Sequence, residues 1–234
     1  MNIVTGLTRI KRAIGHRRAE RNARGAVEGA MDIPSPRPGD ALLLVDVQLD
    51  FMPGGSLPIP SGDQVIGPLN TAIARFRSQS LPVFATRDWH PPGHCSFKPH
   101  GGVLPPHCVA DSGGAAFPGE LALPPDAVIV SKGTRADVDA YSGFEGTGLA
   151  GMLRAAGVTR LFVGGLATDY CVLNTVTDAL QEGFGVVLLP GAMRALNLQA
   201  GDDEAAIATM IEHGAVPDCL PPPSKVRQRN AQPR

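Results

Sequence analysis

Five short apolar runs, over residues 41–47, 82–86, 127–131, 160–164 and 185–189, alternate with stretches of helical periodicity and constrain the fold more than any other feature of the chain. Their residues are apolar in succession rather than in alternation, as expected of strands covered on both faces, and such strands occur in parallel sheets. Helices are predicted near 63–79, 145–156, 168–182 and 202–213. Strand-helix alternation of this kind implies an α/β fold of three αβα layers around a Rossmann-like, mainly parallel sheet. The stretch from Trp89 to Pro125, rich in Pro, Gly and His, is too long to be an idle connection in a compact domain.

Ligands of open parallel sheets bind where the strands end at their carboxyl side. Three reactive side chains fall at such ends. Asp46 follows the run Ala41-Leu42-Leu43-Leu44-Val45 and is the first of three polar residues spaced two apart, with Gln48 and Asp50. Lys132 follows the run 127–131. Cys171 lies in Gly164-Gly165-Leu166-Ala167-Thr168-Asp169-Tyr170-Cys171, where a strand passes through a glycine turn into a helix. A cysteine in the first helical turn meets unpaired N–H groups and the positive end of the helix dipole, which favour a thiolate. Neighbouring N–H groups there can also hold an oxyanion. Taken singly, such a cysteine is more often a small buried hydrophobe, an Asp after a strand a turn cap, and a Lys a solvated cation. Their convergence is what points to nucleophilic chemistry.

The long loop suggests a metal. Asp88 and His90, two apart at a strand end, project to one side, and His94 or His107 can complete a carboxylate and imidazole set. Four of the six histidines of the chain (His90, His94, His100, His107) fall in this loop. The donors suit one divalent ion such as Zn, Fe or Mn. Cys95 and Cys108 flank the histidines as alternative soft ligands, but their less regular spacing favours the imidazoles.

The ends of the chain differ from its middle. Residues 1–38 hold eight basic and three acidic residues, and residues 221–234 hold four basic and none acidic, which leaves nine basic against nineteen acidic between them. The body lacks the basic face that nucleic acid requires, and no apolar run approaches the roughly 18 residues of a membrane span. Four scattered cysteines without a CxxC pair suit free thiols in a reducing cytoplasm. The expected organisation is a basic, disordered leader over 1–38, one hydrolase domain over 39–220 and a disordered tail over 221–234. Glu20 and Glu28 weigh against a transit helix in the leader.

Several motifs together resemble the nicotinamidase/pyrazinamidase family of isochorismatase-like cysteine hydrolases, over about residues 40–216. They are Val45-Asp46-Val47-Gln48-Leu49-Asp50-Phe51 with Gly54-Gly55-Ser56-Leu57, Thr86-Arg87-Asp88-Trp89-His90-Pro91, Pro105-Pro106-His107-Cys108-Val109, Lys132-Gly133 with Asp139-Ala140-Tyr141-Ser142-Gly143-Phe144, and Gly165-Leu166-Ala167-Thr168-Asp169-Tyr170-Cys171-Val172. The resemblance implies the isochorismatase-like hydrolase fold, with Cys171 as nucleophile, Asp46 as general base and acid, and Lys132 as the cation that orients Asp46. It implies metal ligation by Asp88, His90 and His107, with His94 as a fourth ligand or a partner of the ligands. It also implies an oxyanion hole from the N–H groups of Ala167 and Cys171, a non-proline cis peptide at Leu166-Ala167, and a ring slot lined by Phe51 and Tyr141. The family usually has Trp three residues before the metal histidine, and this chain has Leu104.

The activity implied is deamidation of nicotinamide, and of pyrazinamide, to the acid and ammonia through a cysteine thioester, in NAD salvage. An isochorismatase-like amidase acting on another small amide is the alternative that Leu104 favours. A metal-binding protein without catalysis would lack Cys171, Asp46 or Lys132, and all three are present. A small-molecule amide is the expected partner, with no nucleic acid and no membrane, and a homo-oligomer is left open.

Overall fold

A computed structural model describes residues 35–218; nearly all of the leader and the whole of the tail lie outside the described residues. Six strands form a single parallel sheet: β1 (Asp40–Val45), β2 (Val83–Asp88), β3 (Val128–Lys132), β4 (Arg160–Leu166), β5 (Gly185–Arg194) and β6 (Val216–Pro217), in the order β3-β2-β1-β4-β5-β6. Four α-helices connect them: α1 (Ile66–Arg77), α2 (Leu149–Ala155), α3 (Leu173–Gln181) and α4 (Asp202–Glu212). From β1 the chain winds outward through β2 to β3, then returns to β4 and winds the other way. Right-handed crossovers carry α1 and α3, which leave the centre in opposite directions, to opposite faces. The order reverses between β1 and β4, and the crevice beyond their carboxyl ends is where such sheets bind ligands.

The strand predictions hold because the runs are apolar on both faces. Ala41 through Val45 have no exposed surface, and Leu161, Val163 and Leu166 none either. On the other side of the sheet α1 sets Phe76 edge-on against Phe162 of β4, with ring centroids 5.2 Å apart. Differences lie at the ends of elements. β2 continues to Asp88, where it pairs with Lys132 of β3, so these two oppositely charged residues are ladder neighbours. β5 continues past residue 189 through a bulge, since Val163 faces Leu188 but Gly165 faces Met193. Pro190, without an N–H, interrupts the ladder there, and the strand then resumes. The helix expected from 168 begins as one wider turn, Thr168–Val172, in which the Val172 N–H donates to Ala167 O (3.1 Å), before α3 proper. The two-residue β6 was too short to show in the sequence pattern. Among the described residues no helix is long and apolar enough to cross a membrane.

Candidate active site

Asp46 leaves β1 in a left-handed conformation, φ 50°, which turns the chain out of the sheet with the carboxylate wholly buried. Its Oδ1 accepts a hydrogen bond from the Thr86 hydroxyl (2.6 Å). Its Oδ2 faces Lys132 Nζ at 3.1 Å without hydrogen-bond geometry, which leaves that oxygen able to accept a proton from elsewhere. Lys132 ends β3, buried at 1% exposure, and donates to Asp88 Oδ1 and to Ala140 O. Its Nζ lies 3.5 Å from Cys171 Sγ. Carboxylate oxygens of Asp46 and Asp88 and the Cys171 sulfur all fall within 4.8 Å of one another. The three strand-end residues singled out in the sequence therefore meet at the switch point between β1 and β4.

Electrostatics at this end run as follows. Burial opposes the charge on Lys132, but Asp46 and Asp88 outweigh it and hold the ammonium well above its ordinary value. Burial likewise opposes ionisation of Asp88, where Lys132 and His90 win and keep the carboxyl well below the usual range. Burial dominates at Asp46 and raises it against the pull of Lys132. It dominates again at Cys171, whose thiol is pushed well above its ordinary value. Burial and the nearby charges of Asp46 and Asp88 thus act on the Cys171 thiol in the sense opposite to a helix start, while Lys132 pulls the other way.

The candidate metal donors gather on the other side of Asp88. One ligand atom each from Asp88, His90 and His107 lies within 4.8 Å of the others. His90 uses Nδ1 on Gly133 O (3.0 Å) and His107 uses Nδ1 on Pro105 O (2.9 Å), so each presents Nε2 inward. An imidazole whose far nitrogen is held by a backbone carbonyl is the usual arrangement of a metal ligand, and two imidazoles with one carboxylate suit a divalent cation that keeps an open position. His107 is brought beside His90 by backbone lacing: His90 N–H donates to Cys108 O (3.0 Å) and Ala110 N–H to His90 O (2.8 Å). Gly133, at φ +61°, is where a Cβ would fall 2.4 Å from the His90 ring, so a side chain there would displace the ligand. His94 is placed differently. Its Nδ1 meets Ser96 Oγ (2.7 Å) and its Nε2 meets Val138 O (3.2 Å), while its ring packs on His90 with centroids 4.1 Å apart. Of the two roles open to it, the geometry is that of a support for His90 and not of a fourth donor.

Four supporting residues escaped the sequence reading. Thr86 holds Asp46 Oδ1 through its hydroxyl. Gln48 donates to Asp88 O (2.8 Å) and accepts from Asp88 N–H (2.7 Å), clamping the backbone of the carboxylate ligand. Asp50 accepts from Cys108 N–H (2.7 Å), next to His107. Phe97, fully buried, lies 5.7, 5.6 and 5.5 Å from the rings of His90, His94 and His107. The alternation of Asp46, Gln48 and Asp50 was the available signal for two of these.

Between the two clusters opens a narrow cleft. Phe51, Leu104 and Tyr141, all foreseen, line it, and Leu57, Ile59, Tyr170 and Leu196 complete an apolar slot leading to Cys171. The Leu166-Ala167 peptide is cis, as expected. The Ala167 N–H has no acceptor among the described residues. Cys95 and Cys108 are free thiols and not among the gathered donors; burial raises the Cys108 thiol far above its ordinary value.

Residues 40–218 match the isochorismatase domain family. The chain belongs to the isochorismatase family. Within that family it is 38% identical to the nicotinamidase of Escherichia coli over 199 residues, 76% of this chain and 93% of that protein. A zinc complex of the pyrazinamidase of Pyrococcus horikoshii superposes with a TM-score of 0.74 at 48% identity, covering 77% of this chain and 98% of that one. The PnC1 protein of L. infantum in complex with nicotinate superposes with a TM-score of 0.70 at 38% identity, over 76% and 91% of the two chains. As an isochorismatase-family member of this branch, the chain is a hydrolase of amide C–N bonds.

Proposed function

We propose that this hydrolase deamidates nicotinamide to nicotinate and ammonia, with pyrazinamide as a second substrate, through a thioester on Cys171. The observation that carries the reading is the meeting of thiol, carboxylate and ammonium at one end of an apolar slot, with Asp88, His90 and His107 at its side. The E. coli, P. horikoshii and L. infantum relatives support the substrate class.

In this mechanism Asp46 Oδ2 takes the Cys171 proton, and sulfur attacks the carboxamide carbon. Backbone N–H groups of Ala167 and Cys171 hold the oxygen as its charge grows. Lys132, fixed by Asp88 and Ala140 O, keeps the ionised Asp46 and the sulfur in register. Asp46 then returns the proton to the departing nitrogen, ammonia leaves, and the same carboxylate activates the water that cleaves the thioester to the acid. Asp88, His90 and His107 would hold one divalent metal, zinc, iron or manganese, which would supply a Lewis acid for the ring nitrogen and so orient the ring. Phe51 and Tyr141 flank the ring. The free thiols suit a cytoplasmic enzyme of NAD salvage.

The slot walls favour one variation. Leu104, Leu57, Ile59 and Leu196 are aliphatic among the lining residues, which suits a small amide less flat than nicotinamide. Ammonia release by metal-loaded protein decides: turnover of nicotinamide and pyrazinamide above that of an aliphatic amide is expected, and the reverse preference overturns the nicotinamide assignment.

A further inference from the structure

The wide turn that carries Cys171 also carries a buried acid that the mechanism does not use. Asp169 is 4% exposed. Its Oδ1 accepts from the Leu196 N–H (3.0 Å) and its Oδ2 from the Asn197 N–H (3.1 Å), so two successive amides of the segment after β5 close on one carboxylate. Leu196 lines the slot. Asn197 is left-handed, φ 49°, and its Oδ1 accepts from the Asp203 N–H (2.9 Å) in the first turn of α4. The chain of contacts thus runs from the nucleophile turn to the wall of the slot and on to a helix.

We propose that Asp169 is a positioning residue that sets Leu196 as a wall of the substrate slot and ties that wall to the nucleophile turn. The carboxylate suits this task because it accepts on both oxygens, and charge-assisted bonds to N–H groups are the stronger kind. No neutral side chain of the same length accepts twice in this direction: an amide keeps one oxygen and turns an NH2 toward the second N–H. Leu196 touches substrate; Asp169 acts through it. The inference rests on the amidase reading for its kinetic consequence but not for its structural one.

Asp169→Asn tests it. Hydrogen exchange over residues 194–198 should quicken about tenfold or more, as expected when one of two charged bonds is lost, while the core strands keep their protection. KM for nicotinamide should rise roughly three- to tenfold with kcat changing less than about threefold. In combination with Leu196→Ala the two effects on KM should not multiply, because both remove the same wall. Unchanged exchange over 194–198, or KM effects that multiply in the double variant, overturns the proposal. A wild-type protein that releases no ammonia from nicotinamide breaks the amidase reading instead, and the exchange measurement still decides the role of Asp169. Should Asp169→Asn lose its fold, Asp169→Glu, which keeps both acceptors on a longer stem, must restore slow exchange over 194–198 or the proposal fails.

Discussion

The thiol end of the pocket and its imidazole end share Asp88 yet are held in place by different means. At the thiol end Asp46 and Lys132 stand where β1 and β3 give out and Cys171 in the wide turn that follows β4, all three buried, so their spacing follows from the sheet and the turn it feeds. At the imidazole end only Asp88 belongs to a strand. His90 and His107 are oriented by the carbonyls of Gly133 and Pro105 and packed by Phe97, while Asp50 holds the amide beside His107 and Gln48 the backbone of Asp88. One end is set by packing that the whole fold maintains, the other by a few local hydrogen bonds. Chemistry and substrate orientation are therefore open to separate disturbance.

The largest separation should come from Cys171→Ala. Activity should fall below about one percent, since sulfur forms the covalent intermediate and nothing nearby replaces it, while elemental analysis still finds about one metal per chain. Loss of metal in that variant would show the two ends to be one unit. The complementary break is chelation, or His107→Ala, which should remove the metal and lower kcat/KM by about 100-fold. Readdition of zinc should restore the chelated wild type and not the variant. Retained activity in metal-free protein, checked by elemental analysis, would remove the imidazole end from the mechanism.

Smaller changes sharpen the contrast. Asp50→Asn touches neither thiol nor substrate, yet it weakens the brace at Cys108 N–H and should cost about tenfold in metal affinity, read by competition with a chelating dye. Thr86→Val removes the hydroxyl that orients Asp46 Oδ1, and should lower kcat about tenfold with KM and metal content unchanged. Leu104→Trp should have the mildest effect, a drop in KM for nicotinamide of up to about tenfold with little change in kcat, if the slot takes a flat ring. A rise in KM would mean that the indole occludes a slot shaped for another amide.

The same contrast decides what the sequence could show. The central strands and the residues at their ends were legible because burial on both faces imposes an apolar run and the chemistry must follow it; β3, at the sheet edge, keeps an apolar run although Val128 and Ile129 are exposed. Register is also why Asp88 and Lys132 meet, but the pairing of β2 with β3 is a property of two segments over forty residues apart and leaves no local trace. Thr86 and Gln48 act on partners forty positions distant. His94 sat at a spacing that a ligand would have, and only the turn of its nitrogens toward Ser96 and Val138 distinguishes it. For Cys171 a dipole can be inferred from a strand-to-helix junction, whereas the burial that raises its thiol belongs to the assembled pocket.

The alternation Asp46, Gln48, Asp50 has a consequence for anyone who would rebuild this protein. From one short exit of β1 these residues reach, in turn, the lysine, the backbone of Asp88 and the amide beside His107. A residue added or removed between 46 and 50 shifts these side chains against their partners and disconnects base and brace together. The loop between Pro91 and Pro105 is coupled to the other end: it carries His94 and Phe97, which pack on His90 and His107, and Leu104 of the slot wall. A graft that exchanges this loop reshapes the slot and loosens the imidazole end while Asp46, Lys132 and Cys171 stay on their own elements. The exit of β1 is the fixed chassis to which such loops are fitted.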